Sequence, residues 1–210
     1  MAIAKFPQKT DAVRTILWEA VALTLAENAG IAVPAWRVET VANKPVLLSR
    51  RFDRDGSARI PFLSAMSMVG AGDHETHSYL EIADGIRRYG AAPVEDLRQL
   101  WRRIVFSVMI TNTDDHLRNH AFLYEGNRGW RLSPAYDLNP VPVELKPRIL
   151  TTLIDLQDGT ASLDLALSVA RHFHLPLEQG REIAAEVAGA VSKWRRIAER
   201  VGLRKGELER

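Results

Sequence analysis

One polar stretch constrains this chain more than any other: Asn112-Thr113-Asp114-Asp115-His116-Leu117-Arg118-Asn119. It follows an apolar helical run, Ile104 to Ile110, and precedes a strand-like run, Ala121 to Tyr124. A dense set of acid, amide and imidazole groups cannot serve as core, yet the elements on both sides must be buried. A polar loop held by two buried elements is the usual seat of a site. A further acid, Asp137, follows within Ser133-Pro134-Ala135-Tyr136-Asp137-Leu138.

The rest of the chain divides around this loop. Met1 to Pro7 reads as a strand carrying Lys5 and closed by a proline. Asp11 to Ala29 reads as a helix capped by Thr10 or Asp11, with Glu19 at its middle and Gly30 as its stop. Ile31 to Thr40 and Pro45 to Arg51 read as strands joined at Asn43-Lys44, and Phe52 to Gly56 leads out through a turn. Beyond about Phe62 the pattern becomes helical. Helices are expected over Tyr79–Tyr89, Pro93–Ile110, Leu163–Phe173 and Glu178–Arg200. His120–Tyr124 and Trp130–Leu132 form a hairpin signal around Glu125–Gly129, and Asn139 to Leu150 is irregular and rich in proline. The fold class is α+β, with a small strand-rich part over residues 1–55 and a helical part over residues 56–210.

Composition excludes several classes. Hydrophobic residues make up 46% and charged residues 26% of the 210, which suits a soluble globular protein. No apolar run reaches membrane-spanning length, and the N-terminus lacks a signal pattern, so a cytoplasmic protein without a membrane partner is expected. The absence of cysteine removes disulfides and thiolate metal sites. Net charge is +2. The pairs Arg87-Arg88, Arg102-Arg103 and Arg195-Arg196 read as solvated helix faces, so direct nucleic-acid binding is not expected.

The order Asp114-x-x-x-x-Asn119, hairpin, Asp137 is that of kinase-type phosphoryl transfer. Such chemistry needs a positioned hydroxyl, neutralised phosphate charge and metal ions on the phosphate oxygens. Asp114 is placed to orient the hydroxyl or take its proton. Asn119 and Asp137 offer hard oxygen ligands to magnesium. Lys5 can reach phosphates, with Glu19 holding it in an ion pair. Each residue also has a plainer reading. Asp114 and Asn119 can cap turns, Lys5 can be a surface lysine, His116 can lock the loop, and Asp115 is expected to point to solvent. His74 and His77 lack a convincing metal-ligand arrangement.

The motifs resemble those of the HipA-like serine/threonine kinases. They are Asn112-Thr113-Asp114-x-His116-x-x-Asn119, Leu132-Ser133-Pro134-x-Tyr136-Asp137, Arg51-Phe52-Asp53-Arg54, and Ile3-Ala4-Lys5-Phe6-Pro7 before the helix with Glu19. The resemblance runs through nearly the whole chain. It implies a protein-kinase-like fold with a mostly helical C-terminal lobe, using ATP and Mg2+. Asp114 then matches the catalytic aspartate, with His116 in the same motif. Asn119 and Asp137 match the magnesium ligands, and Lys5 the phosphate-binding lysine. Arg50, Arg51 and Phe52 match the lobe connection whose backbone meets adenine. Family members often act as toxins of toxin–antitoxin pairs. They phosphorylate proteins of translation, such as a translation factor or an aminoacyl-tRNA synthetase, and are held by a DNA-binding antitoxin.

The sequence also departs from that pattern. Only four residues precede Lys5, so the glycine-rich phosphate loop has no room there, and weak ATP binding is expected. Ile3 and Phe6 should lie exposed at an uncovered apolar edge. The alternative to an active kinase is therefore a non-catalytic relative that binds an antitoxin or kinase partner. A phosphoester hydrolase using Asp114, Asp115 and Asp137 is the third reading.

Overall fold

The computed structural model describes residues 1–7, 14–141 and 147–208. The first sheet is antiparallel, in the order β1 (Ala2–Lys5), β3 (Lys44–Arg50), β2 (Trp36–Val41). Between β1 and β2 runs α1 (Thr15–Asn28), which packs on β3. The expected start of this helix, with its Thr10 or Asp11 cap, lies outside the described residues. Pro34 has no N–H to give a ladder, and the strand begins only at Trp36 rather than Ile31. The β2–β3 register pairs Val41 with Lys44, so the turn residues are Ala42 and Asn43, one position earlier than expected. Both are left-handed (φ 48° and 60°), the conformation a two-residue hairpin turn demands.

A two-strand ribbon, β4 (Arg54–Asp55) and β5 (Ala58–Arg59), leads into a second three-stranded sheet. Its order is β6 (Phe62–Ser64), β7 (Ala121–Tyr124), β8 (Trp130–Leu132). Strand β6 has no counterpart in the sequence reading, because three residues after a proline are too few to show alternation. It places the chain after the β4–β5 ribbon directly beside the hairpin that follows the polar loop.

The helices are α2 (Ala65–Val69), α3 (Tyr79–Tyr89), α4 (Pro93–Ile110), α5 (Leu163–Val169), α6 (Leu177–Val191) and α7 (Trp194–Val201). The expected helix Glu178–Arg200 is broken at Ser192-Lys193. There the Ser192 hydroxyl donates to the Gly189 carbonyl at 2.9 Å, a local bond that competes with helix continuation. The last turn of the expected Leu163–Phe173 helix is 3-10.

Helix α4 is the axis of the core. Leu97, Leu100, Trp101, Ile104 and Val105 are fully buried along it, against α3, α5, α6 and the second sheet. Arg102 and Arg103 are buried as well, which corrects their reading as a solvated face. The Arg102 guanidinium donates to the Ala29 carbonyl at 2.8 Å, and that of Arg103 to the Ser133 carbonyl. Both caps sit at joints around the site: the end of α1 and the segment leading to Asp137. Burial lowers Arg103 to about 10 while Asp115 and Asp96 oppose that shift. Among the described residues no helix is long and apolar enough to cross a membrane.

Candidate active site

Strand β1 and helix α1 bring Lys5 and Glu19 together, and the segment after β8 brings Asp137 to the same point. Lys5 Nζ donates to Glu19 Oε1 and to Asp137 Oδ1, each at 2.6 Å. Glu19 is 6% exposed in its side chain, Lys5 38% and Asp137 35%. A cation between two carboxylates shifts all three groups. For Lys5, burial pulls the ammonium down, but Glu19 and Asp137 outweigh it and the net is upward. Burial pushes the Glu19 carboxyl up further than Lys5 draws it down. Burial also pushes Asp137 up, yet Lys5, Asn139 and His116 hold it below the ordinary carboxylate value. Asp137 is therefore ionised and Lys5 charged at neutral pH.

Asp137 has φ 57°, a left-handed backbone that a non-glycine residue adopts only when its surroundings fix it. Here Asn139 Nδ2 donates to Asp137 Oδ1 at 2.9 Å and to its carbonyl at 3.3 Å. The Asn139 amide in turn donates to Asn112 Oδ1 at 3.2 Å. Asn112, first residue of the polar stretch, thus ties that loop to Asp137.

The loop itself follows Thr111, which ends α4 in a left-handed conformation (φ 56°). Asp114 is exposed. Its carbonyl accepts the Asn119 side-chain amide at 3.1 Å and the His116 backbone N–H at 3.0 Å. The Asn119 bond uses the amide nitrogen and leaves the oxygen as the ligating atom. Asn119 Oδ1 and the Asp137 carboxylate are hard oxygen donors of the kind magnesium takes. The donor set fits that ion. His116 is half-buried, and its Nδ1 has no hydrogen-bond partner among the described residues. Asp115 does not point to solvent as expected: it is 3% exposed and faces inward. The buried donors Tyr79 and Ser107 draw it in.

A cleft of about 290 Å³ opens over this centre, lined by Ile3, Lys5, Leu47, Phe52, Tyr136 and Asp137 among others. Arg50, Arg51 and Glu19 also border it. The Phe52 ring lies 5.6 Å from Tyr136 and 6.2 Å from Phe62, forming an aromatic wall. The Arg50 and Arg51 amides are already committed, to the Ala35 and Met1 carbonyls at 2.7 and 3.1 Å. Arg51 also holds Asp53 through two bonds, of 2.8 and 2.5 Å. A second hollow of about 230 Å³ lies beside the loop, between His116, Arg118, His77 and Thr151. Ile3 and Phe6 are exposed, at 54% and 63%, matching the sequence expectation.

Tyr79, Ser107, Asn112, His120 and Asn139 were not singled out as site residues from sequence. Only Asn112 carried a signal, as the first residue of the motif. Ser107 was hidden as a polar position within an apolar helix, and Tyr79 as an ordinary helix start.

A lysine strand, a helix with a buried glutamate, a polar loop and an aspartate beyond a hairpin define a protein-kinase-like fold. The solved structures agree. HipA of Shewanella oneidensis, determined with HipB and its operator DNA, superposes with a TM-score of 0.79 at 17% identity, covering 99% of this chain and 54% of that one. CtkA, a proinflammatory kinase of Helicobacter pylori, gives a TM-score of 0.60 at 14% identity, covering 95% of this chain and 90% of that one. The chain belongs to the family of HipA-like C-terminal domains, whose pattern matches residues 1–195. A Haemophilus influenzae protein named "Putative kinase" is 31% identical over 99 residues, 45% of this chain and 29% of its own length. A Sinorhizobium fredii protein named "Putative kinase Y4mE" is 27% identical over 147 residues, 65% of this chain and 33% of its own. The chain thus spans about a third of these curated relatives.

Proposed function

We propose that this chain is the catalytic part of a serine/threonine protein kinase that transfers the γ-phosphate of ATP to a protein hydroxyl. The observation that carries the reading is Lys5 Nζ held at 2.6 Å from both Glu19 and Asp137 beneath an apolar cleft. Glu19 fixes the ammonium, and the ammonium neutralises phosphate charge. The adenine ring lies against Phe52 and Tyr136. With Arg50 and Arg51 committed to the sheet, the Phe52 amide is the donor left for its edge. Asn119 and Asp137 would hold Mg2+, which would neutralise charge on the phosphate oxygens. The acceptor hydroxyl is received by the exposed Asp114. Its oxygen bonds to the γ-phosphorus, the bond to the β-phosphate oxygen breaks, ADP leaves and the proton passes to Asp114.

The partner proposal rests on the Shewanella protein, which was solved with HipB and its operator DNA. By that likeness this chain acts as the toxin-type component held by a DNA-binding antitoxin; the motif resemblance to HipA-like kinases, not that structure, suggests a protein of translation as substrate. Calorimetry with MgATP tests the nucleotide site. Binding by the wild type that Asp137→Ala abolishes supports it, and no binding at millimolar nucleotide removes it for this chain and favours a non-catalytic binding module. Transfer of labelled phosphate to protein, lost in Asp114→Ala, tests the chemistry. Phosphate release without an acceptor would instead indicate a hydrolase.

A further inference from the structure

The carboxylate of Asp115 has no part in the chemistry above, yet it is among the most deeply held groups in the molecule. Its side chain is 4% exposed. Tyr79 Oη at the start of α3 donates to Oδ2 at 2.5 Å, and Ser107 Oγ of α4 donates to the same oxygen at 3.0 Å. His120 Nε2, at the entry to β7, lies 3.0 Å from Oδ1, outside hydrogen-bond angles. Arg103 of α4 adds a buried positive charge nearby. The backbone is held too. The Asp115 carbonyl accepts the Thr152 amide at 3.2 Å, and the Thr113 carbonyl accepts the Thr151 amide at 2.9 Å. The Tyr79 ring packs edge-on against His120, with centroids 5.5 Å apart.

A buried carboxylate is costly unless paired, and here the pairing groups come from three separate elements. A carboxylate used only to stabilise a core has no need to sit between Asp114 and Asn119. The loop has few backbone ladder bonds of its own, so side chains must define its pose. We propose that Asp115 is a positioning residue: Tyr79, Ser107 and His120 grip it to set the pose of the loop that presents Asp114 and Asn119. Its catalytic consequence rests on the phosphotransfer reading, whereas its structural content does not.

Tyr79→Phe is the informative variant, because it removes one donor and keeps the buried ring. Asp115→Ala strips the whole grip and risks unfolding. Asp115→Asn keeps the shape and still accepts from Tyr79 and Ser107. Amide hydrogen exchange gives the first readout. In Tyr79→Phe the amides of Asn119, Thr151 and Thr152 should exchange about tenfold faster, the loss of one charge-assisted hydrogen bond, while the amides of α6 keep wild-type rates. Asp115→Asn should restrain the loop better than Asp115→Ala. Steady-state transfer gives the second. The nucleotide KM should stay within about twofold while kcat falls about tenfold or more, since misplacing a reacting group by ~1 Å costs up to ~10²-fold. Loop amides unchanged in Tyr79→Phe, or α6 amides accelerated equally, would overturn the proposal. If the wild type transfers no phosphate, the phosphotransfer reading fails, and the exchange rates still decide the role of Asp115.

Discussion

At the scale of single residues, three carboxyl groups are shifted in two directions, and their neighbours decide which. Glu19 is pushed up by burial, Asp137 is held down chiefly by Lys5, and Asp115 is held down against its own burial by His120, Tyr79 and Ser107. The motif announces Asp114, Asn119 and Asp137 by spacing alone. It says nothing of Asp115, because the groups that draw that side chain inward lie 36 and 8 residues away in sequence. Lys5 and Glu19 were legible as a pair only from the kinase-type order of strand lysine and helix glutamate, since a lone lysine on a strand has no distinguishing pattern. Asp53 offers the clearest pH signature. Arg51 holds its carboxyl below the ordinary 3.8, and burial opposes this only in part. A depressed folded-state value means that the contribution to stability is present above pH 3.8 and is lost as pH falls below it. Asp53→Asn should therefore be less stable than wild type at pH 7, with the gap closing below about pH 4. Urea midpoints at pH 7, 4 and 3 measure it, and a gap constant across that range would refute the assignment.

At the scale of elements, the long helices were the most legible. Tyr79–Tyr89 and Pro93–Ile110 have the bounds their apolar period and punctuation imply. Short strands and helix breaks were not. Three-residue β6 exists because β7 offers it an edge, and the break before α7, where Ser192 bonds back to Gly189, lets Trp194 meet Trp18, whose ring is 5.8 Å away. Neither tertiary partner is visible in the local sequence. The β7–β8 hairpin matters most for the site, since it spans the chain between Asn119 and Asp137. Its backbone is fastened to the end of α3, where the Ala91 amide donates to the Trp130 carbonyl at 2.7 Å. That approach requires glycine at position 129: φ is 107°, and a Cβ there would sit 2.5 Å from the Tyr89 carbonyl oxygen. Gly126, in the same loop at φ 65°, has open space around its missing Cβ. Gly129→Ala should destabilise by about 2–3 kcal/mol, against about 1 kcal/mol for Gly126→Ala. Urea unfolding of the two variants makes the comparison. Equal losses would mean that backbone strain alone, and not the contact with Tyr89, sets the cost.

At the scale of the whole molecule, we propose that the division near Asp55 separates two lobes in topology but not in energy. Helix α1, which carries Glu19, belongs to the same hydrophobic core as α3, α4 and α6. It also packs against α7, near the other end of the chain, where Arg195 lies over the Trp194 ring at 4.4 Å. The sheet that holds Lys5 is thereby fixed to the body that holds Asp137, and the lysine-to-aspartate contact across the cleft depends on that fixing. A lobe with its own core would melt separately, whereas one sharing a core must melt with the rest. Chemical denaturation should give a single transition, with helix content by circular dichroism and tryptophan fluorescence coincident. Trp194→Ala should lower stability by about 2–3 kcal/mol, less than for a fully buried tryptophan because the ring is half-buried. The single transition should survive in the variant, shifted to lower denaturant. Two separated transitions in the wild type would show that α1 and its sheet form an independent unit, and the site would then assemble only when the two lobes dock.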